Sequence, residues 1–142
     1  MSPDIFGTQD SRLRADVRGL CRILTKDFKP KAAVVNVIFV TDRRIHTLNR
    51  QYLNRDRPTN VRSFNCDEPH VPGEPRLLGE VYVSRDTARA QAREYGVSYA
   101  SELRRLVLHG LFHLVGLTHR EMEPLYRKYL QRDRGRGARN TE

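Results

Sequence analysis

Apolar residues along this chain recur at two spacings, and the changes between them mark out its elements. Residues 1–10 hold no sustained period and read as an irregular lead-in. From Ser11 onward, Leu13, Val17, Leu20, Cys21 and Leu24 return every three or four positions, with Arg12, Arg14, Arg18 and Arg22 between them. That is an amphipathic helix, closed by Pro30. Ala33 to Val40 is short, β-branched and nearly continuous in apolar character, as a buried strand is. Thr41 and Asp42 bring N-cap oxygens to a second helix whose inner face is Ile45, Leu48 and Tyr52. A turn at Arg55–Asn60 contains Pro58, and Val61–Phe64 reads as a short strand. Asn65 to Pro75, with three prolines and a glycine, is a loop.

Leu77–Ser84 returns to strand character. Arg85–Tyr95 is an alanine-rich helix stopped by Gly96, and Ser98 caps a long helix with Leu103, Leu106, Val107, Leu111 and Leu114 inward, running to Gly116. A last helix, from Arg120 to about Arg132, carries Met122, Leu125, Tyr126 and Tyr129 as its apolar stripe, with Pro124 tolerated in its first turns. Interleaved helices and strands predict an α/β (α+β) domain over residues 1–131, with a small mixed β-sheet of about four strands and about five helices. Residues 132–142 read as a basic, flexible tail.

Composition narrows the function classes. The chain has 142 residues, 38% hydrophobic and 30% charged, enough for a single domain with its own core and too apolar for a disordered chain. No apolar run approaches the roughly 18 residues that cross a bilayer, and the N-terminus lacks the basic and apolar regions of a secretory signal. Cys21 and Cys66 form no C-x-x-C pair, so neither a disulfide framework nor a cysteine zinc site is indicated. A soluble, cytoplasmic protein is the expectation. Lys plus Arg number 26 against 17 Asp plus Glu, for a net charge of +9. All but Lys26, Lys29, Lys31 and Lys128 of the basic residues are arginine, the side chain suited to bidentate phosphate contacts and to stacking on bases. A polyanion, nucleic acid above all, is the favoured partner over a merely solvated arginine-rich surface.

Three of the five histidines fall in one segment, His109-Gly-Leu-Phe-His113-Leu-Val-Gly116-Leu-Thr-His119. Positions four apart on a helix share a face, so His109 and His113 aim at one point. His119 would point away if the helix continued; Gly116, able to take the left-handed conformation, stops the helix and turns the chain back. Three neutral imidazoles leave a tetrahedral zinc one open position, the catalytic rather than the structural pattern. The same H-x-x-x-H-x-x-G-x-x-H spacing is that of metzincin proteases, which carry a glutamate general base directly after the first histidine. Gly110 stands there, and Glu102, Glu121 and Glu123 are poorly placed to replace it, which argues against a peptidase.

The histidine segment resembles the H-G-x-x-H-L-x-G-Y-D-H signature of the YbeY family of bacterial endoribonucleases. Two more stretches are similar to that family in order and spacing. One is Asn49-Arg-Gln-Tyr52-Leu53-Asn-Arg55-Asp56-Arg57-Pro58-Thr59-Asn60-Val61-Arg62-Ser63-Phe64; the other is Leu78-Gly79-Glu80-Val-Tyr-Val-Ser84. The resemblance implies a compact α/β fold, one Zn2+ per chain held by His109, His113 and His119, and cleavage of single-stranded RNA. It implies 16S rRNA 3′-end processing, ribosome quality control, and rRNA and ribosomal particles as partners, with no membrane and no small organic cofactor.

Four positions depart from the family pattern. Leu53 stands where an arginine is usual, and Arg55 or Arg57 in the same turn is expected to supply the phosphate-binding charge. Arg62 replaces a leucine and adds a candidate phosphate contact beside Thr59. Asn65 replaces a proline, and Thr118 replaces the aspartate before the third histidine, where an aspartate would orient a ligand imidazole. The alternatives are a non-catalytic rRNA-binding assembly factor with a structural metal and, further off, a metallopeptidase-like hydrolase.

Overall fold

The computed structural model describes residues 1–32, 34–52, 61–65 and 72–136, with only the backbone of 48–52, 61, 62, 64 and 131–136. The elements run β1 (Ser2–Phe6), α1 (Ser11–Phe28), β2 (Val34–Val40), α2 (Asp42–Tyr52), β3 (Val61–Asn65), β4 (Leu77–Ser84), α3 (Arg85–Tyr95), α4 (Tyr99–Leu114) and α5 (His119–Arg136). Strands are ordered β1-β2-β4-β3 in one sheet. β1, β2 and β4 are mutually parallel, and β3 pairs antiparallel with β4 at the edge. This is the mixed α/β sheet that the alternating pattern predicts.

The core lies between one face of the sheet and the helices. Val35, Val37 and Phe39 of β2 and Val81 and Val83 of β4 are buried with Leu13, Val17, Leu20, Cys21 and Leu24 of α1 and Leu103, Leu106, Val107 and Leu111 of α4. The other residues of β2 are only half-buried, so its apolar run hides an alternation of the kind that one fully covered face produces.

Helix ends follow local chemistry. Asp10 caps α1 by accepting from the Arg12 and Leu13 N–H groups. Ser84 caps α3 and Ser98 caps α4. Thr41 does the same for α2, accepting from the Arg44 N–H at 3.3 Å. The Asp42 carboxylate instead receives the hydroxyls of Ser84 and Thr87, tying the start of α2 to the start of α3.

Two sequence expectations need correction. Residues 1–10 are not wholly irregular, because Ser2–Phe6 forms a strand in register with Val34–Ile38 of β2. Only Ile5 of that strand is buried, which leaves no alternation to read; the pairing comes from a partner about thirty positions away. At the other end, α5 continues to Arg136, into the segment read as flexible tail. Arginine is a good helix former, and nothing local stops the helix after Gln131. The rest of that tail, 137–142, lies outside the described residues. No helix among the described residues is long and apolar enough to cross a membrane.

Candidate functional site

α4 is the buried spine on which the site is built. Its inward face packs on the sheet and on α1, and it buries Glu102 as well. Arg105 grips that carboxylate with two parallel bonds, Nη2 to Oε2 at 2.6 Å and Nε to Oε1 at 3.1 Å, the fork geometry that lets a buried charge stand. One and two turns further along the same side stand His109 and His113, both half-buried. The burial of the opposite face fixes the direction in which these two rings look.

The chain then turns at Gly116. The Gly116 N–H bonds to the His113 carbonyl at 3.0 Å and the Leu117 N–H to the Phe112 carbonyl at 3.1 Å, a Schellman stop with Gly116 left-handed at φ 86°. Two residues later Thr118 opens α5. Its Oγ1 accepts from the Glu121 N–H at 3.2 Å, and the Glu121 carboxylate accepts from the Thr118 N–H at 2.9 Å, a reciprocal capping box. Thr118 therefore serves the helix start rather than an imidazole, a duty that an aspartate also performs well.

This corner returns His119, the first residue of α5 and an exposed one, to the pair on α4. Ring centroids are 4.6 Å apart for His109 and His113, 5.3 Å for His113 and His119, and 5.7 Å for His109 and His119. Three imidazoles bound through ring nitrogens to one tetrahedral ion have centroids about 5 Å apart. Nε2 of His109 and Nε2 of His113 lie 3.1 Å apart; two nitrogens on one such ion are separated by roughly 3.3 Å. Three imidazoles suit a zinc-sized cation in kind and in the rough spacing of their rings, and the His109 and His113 nitrogens lie near the separation one ion requires. Among the described residues no group of three or more His, Cys, Asp or Glu side chains is arranged to hold a metal ion as it stands; the close approach of the His109 and His113 nitrogens is in place, and His119 stands exposed beside them.

Electrostatics favour the neutral, metal-binding form of His109. Burial pushes its pKa down to about 4, helped by the neighbouring His113, His119 and Arg105. Its Nδ1 meets the hydroxyl of Tyr126 at 2.6 Å. Burial raises that phenol to about 12, against the pull of Arg105, so it stays protonated at neutral pH.

The structure thus gathers the three histidines singled out in the sequence. Arg55, Arg57 and Thr59, with Leu53, lie outside the described residues. Arg62 is on β3, opposite Tyr82 of β4, where only its backbone is described. Asn65 ends β3 and donates from Nδ2 to the Leu114 carbonyl at 3.2 Å; this bond, which proline cannot make, satisfies one of the free carbonyls at the end of α4.

Two neighbours of the site were not legible. Tyr126 lies on the apolar stripe with Met122, which signals packing alone; its bond to His109 spans seventeen positions and has no periodic signal. The helical spacing of Glu102 and Arg105 was available to suggest their pairing, but not its burial or its place one turn before His109.

Comparison with known proteins gives the family. Residues 5–132 match the family described as Endoribonuclease YbeY. The Endoribonuclease YbeY of Desulfitobacterium hafniense is 41% identical over 110 residues, 73% of this chain and 70% of that protein. That of Chloroflexus aurantiacus is 38% identical over 120 residues, 80% of this chain and 76% of its own length. Against the relative from Anaeromyxobacter dehalogenans, 42% identical, the match spans 53% of that protein's length, so this chain covers between about half and three quarters of such relatives. The solution structure of TM1509 from Thermotoga maritima superposes with a TM-score of 0.69 at 30% identity, covering 97% of this chain and 93% of that one. With its three histidines on the matched segment, the chain belongs to the YbeY endoribonuclease family.

Proposed function

We propose that this chain is a zinc-dependent endoribonuclease that cuts single-stranded RNA in the cytoplasm. One Zn2+ is held by His109, His113 and His119. Its work is maturation of ribosomal RNA, including the 3′ end of 16S rRNA, and ribosome quality control, with ribosomal particles as partners. The observation that supports the reading is the approach of three imidazoles, whose ring centroids lie 4.6, 5.3 and 5.7 Å apart. Family membership supports the endoribonuclease class, and the +9 charge suits a phosphodiester backbone.

Zinc bound there would activate water near neutral pH and polarise a phosphoryl oxygen. The chain's own residues do the rest. Burial keeps His109 neutral, so that it offers a lone pair rather than a charge. His113 shares its face from one turn above, and His119 would complete the set from the start of the next helix. No carboxylate follows His109; Gly110, buried in α4, stands in place of a peptidase's base. Arg55, Arg57, Thr59 and Arg62 are the proposed contacts to the RNA backbone, positioning the strand without reading its sequence.

The test uses the untagged chain, purified without chelator. Elemental analysis is expected to return about one zinc per chain, and the protein is expected to cut an unstructured RNA oligonucleotide. His113→Ala should lose both zinc and cleavage while retaining its fold and its affinity for RNA. RNA binding without metal-dependent cleavage, even at high concentration of the unmutated protein, would overturn the reading in favour of an assembly factor.

A further inference from the structure

We propose that Tyr126 is a positioning residue for His109: its phenol oxygen holds the ring's Nδ1–H, leaving Nε2 bare and aimed at the metal position. This rests on the zinc reading above and adds to it the group that sets the tautomer of one ligand.

The two nitrogens of His109 face different neighbours. Nδ1 lies 2.6 Å from the Tyr126 hydroxyl, and Nε2 lies 3.1 Å from Nε2 of His113. The Tyr126 and His109 rings are parallel to within 5°, with centroids 6.4 Å apart. A straight in-plane bond between two such rings places the centroids about 6.5 Å apart. The rings therefore lie side by side, and the phenol oxygen sits on the axis of the Nδ1–H rather than over the imidazole face.

In this arrangement Nδ1–H donates and the phenol oxygen accepts, and the phenol's own hydrogen turns toward Sδ of the buried Met122, 3.8 Å away. A neutral imidazole has one N–H. With that hydrogen on Nδ1, the lone pair is on Nε2, the nitrogen that faces His113. Phe112 packs edge-on against the Tyr126 ring, with centroids 5.4 Å apart, and holds the phenol in place. Partners of this kind, on the far nitrogen of a ligating histidine, fix its orientation and raise its basicity.

Tyr126→Phe removes the oxygen and keeps the ring packed against Phe112. In metal-free full-length protein, 15N-resolved NMR of the histidine rings is expected to show His109 as the Nδ1–H tautomer, and Tyr126→Phe is expected to show a mixture. Zinc affinity, measured by competition with a chromophoric chelator, should fall about 10- to 100-fold with the melting temperature of the metal-free protein unchanged. A tautomer that is the same in both proteins, with zinc affinity changed less than about twofold, would overturn the proposal and leave Tyr126 a packing residue. Should the unmutated protein take up no zinc, the functional reading fails separately, and the tautomer comparison alone decides the role of Tyr126.

Discussion

The corner from α4 to α5 and the edge strand β1 both hinge on a left-handed glycine, and they are built by opposite means. At the corner, Gly116 has φ 86° and a Cβ placed on it would meet no atom within 4 Å. Its role is purely conformational, and the bonds that stop one helix and start the next join residues at most five positions apart. At the edge, Gly7 has φ 85°, and a Cβ there would lie 2.0 Å from the Phe39 carbonyl oxygen of β2. Here the glycine also makes room for a strand that is distant in sequence. The Arg85 side chain closes over the same place, donating to the Gly7 carbonyl at 2.9 Å. Local hydrogen bonding writes itself into the sequence; close approach of two backbones does not.

Substitution separates the two cases. Gly7→Ala adds a collision with fixed backbone to the left-handed strain, and is expected to cost about 3 kcal/mol or more; denaturant unfolding at constant m-value checks it. Gly116→Ala pays the conformational strain alone, about 1 kcal/mol. If the two cost the same, the contact with Phe39 is not what holds β1 in place.

A third effect is in pH. Cys21, in the α1 core, is raised by burial from 9.0 to about 12. The unfolded chain therefore releases this proton at lower pH than the folded one. Stability from this group is complete below about pH 9 and falls as pH climbs toward 12. Tyr126 at the corner acts in the same direction, starting from 10.0. Stability measured across alkaline pH should thus begin to fall on the α1 side, and Cys21→Ala should delay the onset by about one pH unit. An unchanged onset would show that Cys21 does not report the core beside β1.

How much of this was readable follows the same division. His109 and His113 share a face because of helical pitch, and the left-handed stop at Gly116 was expected from the need to bring back His119. Ser84 and Ser98 cap helices where a short polar side chain precedes an apolar period. The strand at Ser2–Phe6 was missed because a single buried side chain, Ile5, makes no pattern. The end of α5 was placed too early because an arginine-rich run reads equally well as tail or as exposed helix. Arg55, Arg57 and Thr59, expected at the RNA, lie outside the described residues.

By itself the sequence determined most of the elements, the glycine stops after α3 and α4 and the trio of histidines, since each depends on torsions and hydrogen bonds within a turn or two of chain. Tertiary structure alone decided that β1 pairs with β2, that Asn65 secures the end of α4 and that Tyr126 holds Nδ1 of His109. Those contacts join residues about thirty, forty-nine and seventeen positions apart, and their energy exists only after the core has brought the segments together.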